Sequence, residues 1–178
     1  MRRTAVAVAA AGFATIAVLY AVQPLLPINS DEFGGSPAQG SLALSLPCGL
    51  LALALLVVSP LSEVFGRKPV MLASLFASAF LTIVAAWVPS WHGFLFLRAL
   101  AGLTASGLPA VAMAYLAEEM DTQAIGLSMG LLVGGNAMGG MSGRLISGIM
   151  ADHVSWRVGL TTIGALALAA AFAFWRWL

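Results

Sequence analysis

Apolar residues fill this chain in long runs that polar residues seldom interrupt. Six runs stand out, at about 4–26, 41–61, 70–88, 92–116, 123–147 and 158–177. Each is close to the ~20 residues that a helix needs to cross a hydrocarbon core of about 30 Å. Short polar stretches join them: "INSDEFGGSPAQG", "SEVFGRKP", "PSWH", "AEEMDTQ" and "ADHVSWRV". Pro89, Trp91 and the terminal "FWRWL" read as interfacial punctuation, because tryptophan favours the headgroup level. The pattern predicts an all-α membrane protein with six transmembrane helices.

Composition supports that reading and narrows the function. Of 178 residues, 61% are hydrophobic and only 8% are charged, whereas a soluble domain carries about a quarter charged residues. No polar segment is long enough to form a domain outside the membrane. A net charge of +1 without a basic cluster argues against a nucleic-acid partner. Cys48 has no second cysteine to pair with. His92 and His153 lack metal-ligand spacing, so no metal and no cofactor is expected. The start, "MRRTAVAVAAAGFATIAVLY", has two arginines before an apolar run, as a signal peptide does. The run from Thr4 to Val22 is too long for that and reads as an uncleaved first span.

Basic residues orient the spans. Arg2, Arg3, Arg67, Lys68 and Arg176 fall on the side of the amino terminus. Arg157 falls on the other, with Arg144 near that end of the fifth span. The bias predicts that both termini are cytoplasmic. Offsetting the chain by 89 residues lays "PLSEVFGRKPV" on "IMADHVSWRVG", with Glu63 on Asp152 and Lys68 on Arg157. Two three-span units, about 1–89 and 90–178, are thereby suggested. An odd number of spans per unit inverts the second in the membrane, the building pattern of secondary transporters.

Three stretches carry candidate chemistry. In "SEVFGRKP", Gly66 permits a tight reversal, and Glu63 is spaced to pair with Arg67 at i,i+4. In "FLFLRALAGLTASGLPA", Arg98 lies about six residues inside the fourth span. A charge there is a functional candidate, unless its long side chain snorkels to the headgroups. In the fifth span, eight glycines lie between 126 and 148. Gly126, Gly130, Gly134 and Gly140 share one arc of the helix, and Gly135, Gly139 and Gly143 share the opposite one. Small-residue stripes let helices approach closely. Tyr20, Gln23 and Asn136 are the polar side chains expected near a central cavity. No Asp or Glu lies inside an apolar span, so no proton carrier is evident.

These stretches resemble motifs of the major facilitator superfamily, and most of all of its YnfM-like inner-membrane transport proteins. Ser59, Glu63, Gly66, Arg67 and Lys68 resemble the motif between the second and third spans, which implies a cytoplasmic gate. Ser59 stands where glycine is usual and Glu63 where aspartate is usual. Arg98 and Gly102 resemble the fourth-span motif, which implies a part in proton coupling. Gly135, Asn136, Gly139 and Gly140 resemble the antiporter motif, with Asn136 in place of its proline. The order of features, with "YAVQPLLP" ending the first span and "SWR" before the sixth, extends the resemblance over the whole chain. It implies a bacterial inner-membrane location and proton-coupled efflux of a small molecule by alternating access. Such transporters have twelve spans, so the chain resembles the amino-terminal bundle, residues 1–178, and a carboxy-terminal half or a second copy is the expected partner, with protons and lipid. Two other readings stand beside it. A complete six-span protein could work as a homodimer. An intramembrane serine protease would use Ser142 of "GMSG", with His153 as the sole later histidine available as its base.

Overall fold

The computed structural model describes residues 2–177; Met1 and Leu178, the outermost residues of "MRR" and "FWRWL", lie outside it. Among the described residues there are eight α-helices and no strand: α1 (Arg2–Tyr20), α2 (Leu26–Glu32), α3 (Pro37–Phe65), α4 (Arg67–Trp87), α5 (Trp91–Ala105), α6 (Gly107–Glu119), α7 (Thr122–His153) and α8 (Trp156–Trp177). They make six helical segments long and apolar enough to cross a membrane. The expected six-span all-α architecture is present, with longer spans and shorter connections than the hydropathy pattern drew.

The first and fourth spans are each broken, for a local reason. Pro24 and Pro27 have no amide hydrogen to carry α1 onward. The chain therefore makes one 3-10 turn, Gln23–Leu25, before α2 resumes the helix. In the fourth span Pro109 cannot donate to the Ala105 carbonyl. The helix breaks at Ser106, whose Oγ donates to Leu103 O at 2.7 Å.

Much of "INSDEFGGSPAQG" is helical rather than loop, because α2 runs to Glu32 and α3 starts at Pro37. A capping box starts α3 sharply: Gln39 N donates to Ser36 Oγ at 3.3 Å, and Ser36 N donates to Gln39 Oε1 at 2.9 Å. Gly66 alone joins α3 to α4, with φ +89°. A β-carbon would be strained there, and this one residue reverses the chain.

The antiparallel order puts Gly66, the Met120–Asp121 link, Arg2 and Trp177 at one end of the bundle, called here the terminal end. Residues 33–36, 88–90 and 154–155 lie at the far end. The central helix is α1. Ala7, Val8, Ala11, Ala14 and Val18 are buried in it, and it packs against α7, α8 and α4. α3 and α7 are the least covered, and present Leu53, Leu56, Val57, Leu127, Met138 and Met141 on the outside of the bundle.

Glycines explain why α1 and α7 lie so close. A β-carbon on Gly135, Gly139 or Gly143 would stand 2.4, 2.2 or 2.6 Å from the carbonyl oxygen of Ala9, Phe13 or Ala17. Both sets advance by four residues, one turn at a time, so the backbones run in register. Of the opposite arc, Gly126, Gly130 and Gly134 face open space, but Gly140 does not. It rests on Ile16 and Tyr20 of α1. α7 is continuous through Asn136, as an amide donor in the place of proline allows.

Candidate functional site

Arg98 sits at the centre of the bundle and is wholly buried, 0% exposed. Its side chain does not snorkel. Nη1 donates to Val18 O at 3.2 Å, Nη2 to Leu19 O at 2.9 Å and Nε to Ala43 O at 3.4 Å. Each acceptor has been left open by the chain that carries it. Val18 and Leu19 are in the last turn of α1, where carbonyls have no intrahelical donor. Ala43 is four residues before Pro47, which has no amide hydrogen to offer it. The guanidinium thus closes the broken end of α1 and the proline gap of α3 together. A cation is also favoured at a helix carboxy terminus by the helix dipole. Four residues on, a β-carbon at Gly102 would stand 2.3 Å from Pro47 O. Gly102 therefore lets α5 come near enough for Arg98 to reach. The spacing Arg98–Gly102 on α5 answers the spacing Ala43–Pro47 on α3.

A polar seam runs along α1 and α7 beside this centre. Asn136 Oδ1 lies where a β-carbon on Gly12 would clash. Asn136 also lines a pocket of about 60 Å³ with Thr15, Ile16, Pro109 and Met113. One turn of α7 later comes Gly140, and one turn after that Arg144, whose guanidinium carbon is 4.6 Å from the centre of the Tyr20 ring. Gly148 then meets Pro24, next to exposed Gln23. Tyr20, Gln23 and Asn136, drawn from distant parts of the sequence, lie along this one seam. Arg144 belongs with them, well inside the fifth span and not at its end as the hydropathy boundary suggested. The available signal was its place four residues after Gly140.

At the terminal end the residues expected to form a gate arrange themselves differently from the i,i+4 expectation. Arg67 pairs with Glu118, at the end of α6: Nε donates to Oε2 at 2.6 Å and Nη2 to Oε1 at 2.5 Å. Glu63 is not the ion-pair partner and attracts Arg67 at longer range. The reason is Gly66, which ends α3, so residues 63 and 67 are on different helices and the helical spacing does not apply. Ser59 is exposed, and its carbonyl accepts from Ser62 Oγ at 2.7 Å. Lys68 opens α4 beside Arg67. At the far end Glu32 pairs with Arg157 at 2.5 Å and accepts from Trp156 Nε1. Arg157 also donates to Ala86 O at 2.9 Å. Phe33, Trp91, Phe94 and Trp156 pack together around this clamp. Neither Glu118 nor Glu32 was singled out by sequence spacing, because both pairs join residues more than fifty positions apart.

The protease arrangement is not formed. Ser142 and His153 lie on the same helix, eleven residues apart, which separates them by about 16 Å along its axis. His153 belongs to the last turn of α7, where Nδ1 is 3.0 Å from Ile149 O. Ser142 lines a small apolar pocket with Phe13, Ala14 and Ile163. Among the described residues no three His, Cys, Asp or Glu side chains could hold a metal ion.

The chain is 49% identical over 174 residues to the inner membrane transport protein YnfM of Escherichia coli (strain K12), a match that takes in 98% of this chain and 42% of that protein. It is 43% identical to the MFS-type transporter YybF of Bacillus subtilis (strain 168), over 97% of this chain and 43% of the relative. The multi-drug resistance efflux pump PmrA of Streptococcus pneumoniae serotype 4 is 28% identical over 89% of this chain and 41% of its own length. The chain thus spans less than half the length of these relatives. The sequence profile of the Major Facilitator Superfamily matches residues 8–178. With six spans, two of them broken, and a profile match over nearly its whole length, this chain belongs to the Major Facilitator Superfamily.

Proposed function

We propose that the chain is the amino-terminal bundle of a secondary active transporter that exports a small molecule in exchange for protons by alternating access. The observation that carries this reading is the pair of breaks at Tyr20–Gln23 and Ser106. Transporters place their substrate sites near mid-membrane, where helices in corresponding positions of two inverted repeats are interrupted. The first and fourth spans would be the leading helices of repeats 1–89 and 90–178. The two ion pairs support the same pairing. Arg67, between the second and third helices of one unit, is tied to the end of the other unit's leading helix. Arg157, between the second and third helices of the other, is tied to Glu32 at the end of the first unit's leading helix.

Within this mechanism Arg67 and Glu118 form the cytoplasmic gate, assisted by Glu63 and Lys68. Glu118 is exposed and Arg67 partly buried, and pairs open to solvent are weak, which suits a contact that opens in each cycle. Arg98 keeps the break in the first span in one shape while the bundle rocks, and influences proton coupling through the field of its fixed charge. Tyr20, Gln23 and Asn136 line the cavity. A carboxy-terminal bundle supplies the opposite wall.

Reconstitution tests the proposal. Proteoliposomes of the full-length transporter, with a trapped pH-sensitive dye, are supplied with an extract of small metabolites from the host. Saturable proton movement that depends on the extract is expected, and Glu118→Gln should reduce its rate several-fold more than Glu63→Gln. Saturable flux from these 178 residues alone would instead identify a complete transporter built from two copies.

The orientation has its own test. With Cys48 replaced by serine, Ala38→Cys should be modified by an impermeant thiol reagent in intact cells, and Asp121→Cys should react only after the membrane is opened. Both positions are exposed on the bundle. The reverse labelling pattern would place the termini outside the cytoplasm and overturn the assignment made from basic residues.

A further inference from the structure

We propose that Arg144, held over the ring of Tyr20, receives an anionic group, a carboxylate in the first instance, on the transported molecule. The inference deepens the transport reading and rests on it for a water-filled cavity at this seam.

Depth is the first argument. Arg144 is nine residues before His153, about 14 Å from the far end of α7 along its axis. Helical side chains lean toward the amino terminus of their helix, which here carries the guanidinium deeper. Its ring partner, Tyr20, is twelve residues before Glu32, about 18 Å from the far end of the first span by the same rise. The charge is therefore held about 14–18 Å in from the far end, well inside the span. It is exposed on this bundle, and a charge at that depth facing lipid is costly. The face must meet water, a ligand or further protein.

The unused bonding capacity of the group is the second argument. Among the described residues no carboxylate lies within ion-pair distance of Arg144, and none of its side-chain N–H groups has an acceptor. The contact with Tyr20 is a cation–π contact, which fixes the guanidinium without consuming its donors. Arginine presents those donors as a planar fork that matches a carboxylate edge to edge. Arg98 places a second cation on Val18 and Leu19, the residues just before Tyr20. Two positive groups at one level, with no acid among the described residues there, create a potential that favours an anion. Asn136, two turns before Arg144 on the same seam, adds a neutral polar group for the remainder of the ligand.

Benzoate and its uncharged isostere benzamide are suitable probes. The full-length transporter in detergent, with no membrane and no gradient, is titrated with each while its melting temperature is followed. Benzoate should stabilise it at concentrations at least tenfold lower than benzamide. Arg144→Gln should erase that preference, Arg144→Lys should retain part of it, and Tyr20→Phe, which keeps the ring, should retain nearly all. Equal stabilisation by the two probes, no stabilisation by benzoate, or an undiminished preference in Arg144→Gln overturns the proposal. So does a large drop in melting temperature of Arg144→Gln without probe, reversed when an acid elsewhere in the protein is also neutralised, since the guanidinium would then already be paired. Absence of a benzoate preference in the unmutated transporter, with proton-driven flux intact, sinks the anion site and leaves the transport reading standing. A preserved preference without flux does the opposite.

Discussion

Replacing Gly139 with leucine is expected to force the first and fifth spans apart. Even the first added carbon would stand 2.2 Å from Phe13 O, and that neighbour is backbone, which cannot swing aside. Gly135 and Gly143 hold the same seam a turn above and below, so the helices cannot tilt locally to make room. Overpacking a tight contact costs typically 1–3 kcal/mol and sometimes more; a bulky side chain against backbone belongs at about 3 kcal/mol. For a chain of this size that corresponds to a fall in melting temperature of roughly 6–12 °C. Gly130→Ala is the internal control, since nothing lies within 4 Å of a β-carbon at that position. Its melting temperature should hold or rise slightly, because alanine is the better helix former by about 1 kcal/mol. Melting curves in detergent decide the matter. Similar values for the two variants would mean that the fifth span does not depend on close approach to the first.

Arg98→Leu should produce two effects of opposite sign. The fourth span loses a charge that costs about 2.5–3.5 kcal/mol on insertion scales, so the variant should insert more readily than the parent. Once inserted, it leaves the carbonyls of Val18, Leu19 and Ala43 without their donor. Buried acceptors stranded in this way cost about 1–3 kcal/mol each, offset in part by removal of the buried cation. A net loss of about 3 kcal/mol in stability is expected, with transport reduced at least tenfold. Lysine should restore little, because one ammonium group cannot span acceptors on two helices as the fork does. Adding Pro47→Ala to Arg98→Leu supplies the missing amide for Ala43 O and should return about 1 kcal/mol. Equal melting temperatures for Arg98→Leu and the parent would remove the carbonyl bridge as the reason for this arginine.

Hydropathy and charge made the spans legible, since both are properties of residues taken one at a time, and short local motifs made the broad family legible. The limits of that reading are instructive. Glu63 and Arg67 have helical spacing in the sequence, yet Gly66 places them on separate helices, and Glu118 takes the pair. Pro47 lies within an apolar run; its meaning lies in the carbonyl it leaves open four residues back, and in an arginine 55 positions away from that carbonyl that fills it. The glycine arcs of α7 were correctly separated by helical angle except at Gly140, because which neighbour covers an arc is decided by the crossing of α1, not by α7 itself. Arg144 was assigned to a span end because the fifth helix runs further than its hydropathy suggests. Each miss involves a partner supplied by a remote segment.

Arg98 also imposes a schedule on assembly. Leu19 and Arg98 are 79 residues apart, and ribosomes add about 5–20 residues per second. The broken end of the first span is thus made roughly 4–16 s before the side chain that closes it. During that interval the nascent first and second spans carry bare carbonyls in surroundings where unsatisfied backbone is poorly tolerated. Retention of these early helices beside water, the insertion machinery or a chaperone until the fourth arrives would protect them. A ribosome stalled before codon 98 should therefore hold spans that are still protease-sensitive, and one stalled after the fourth span has emerged should not.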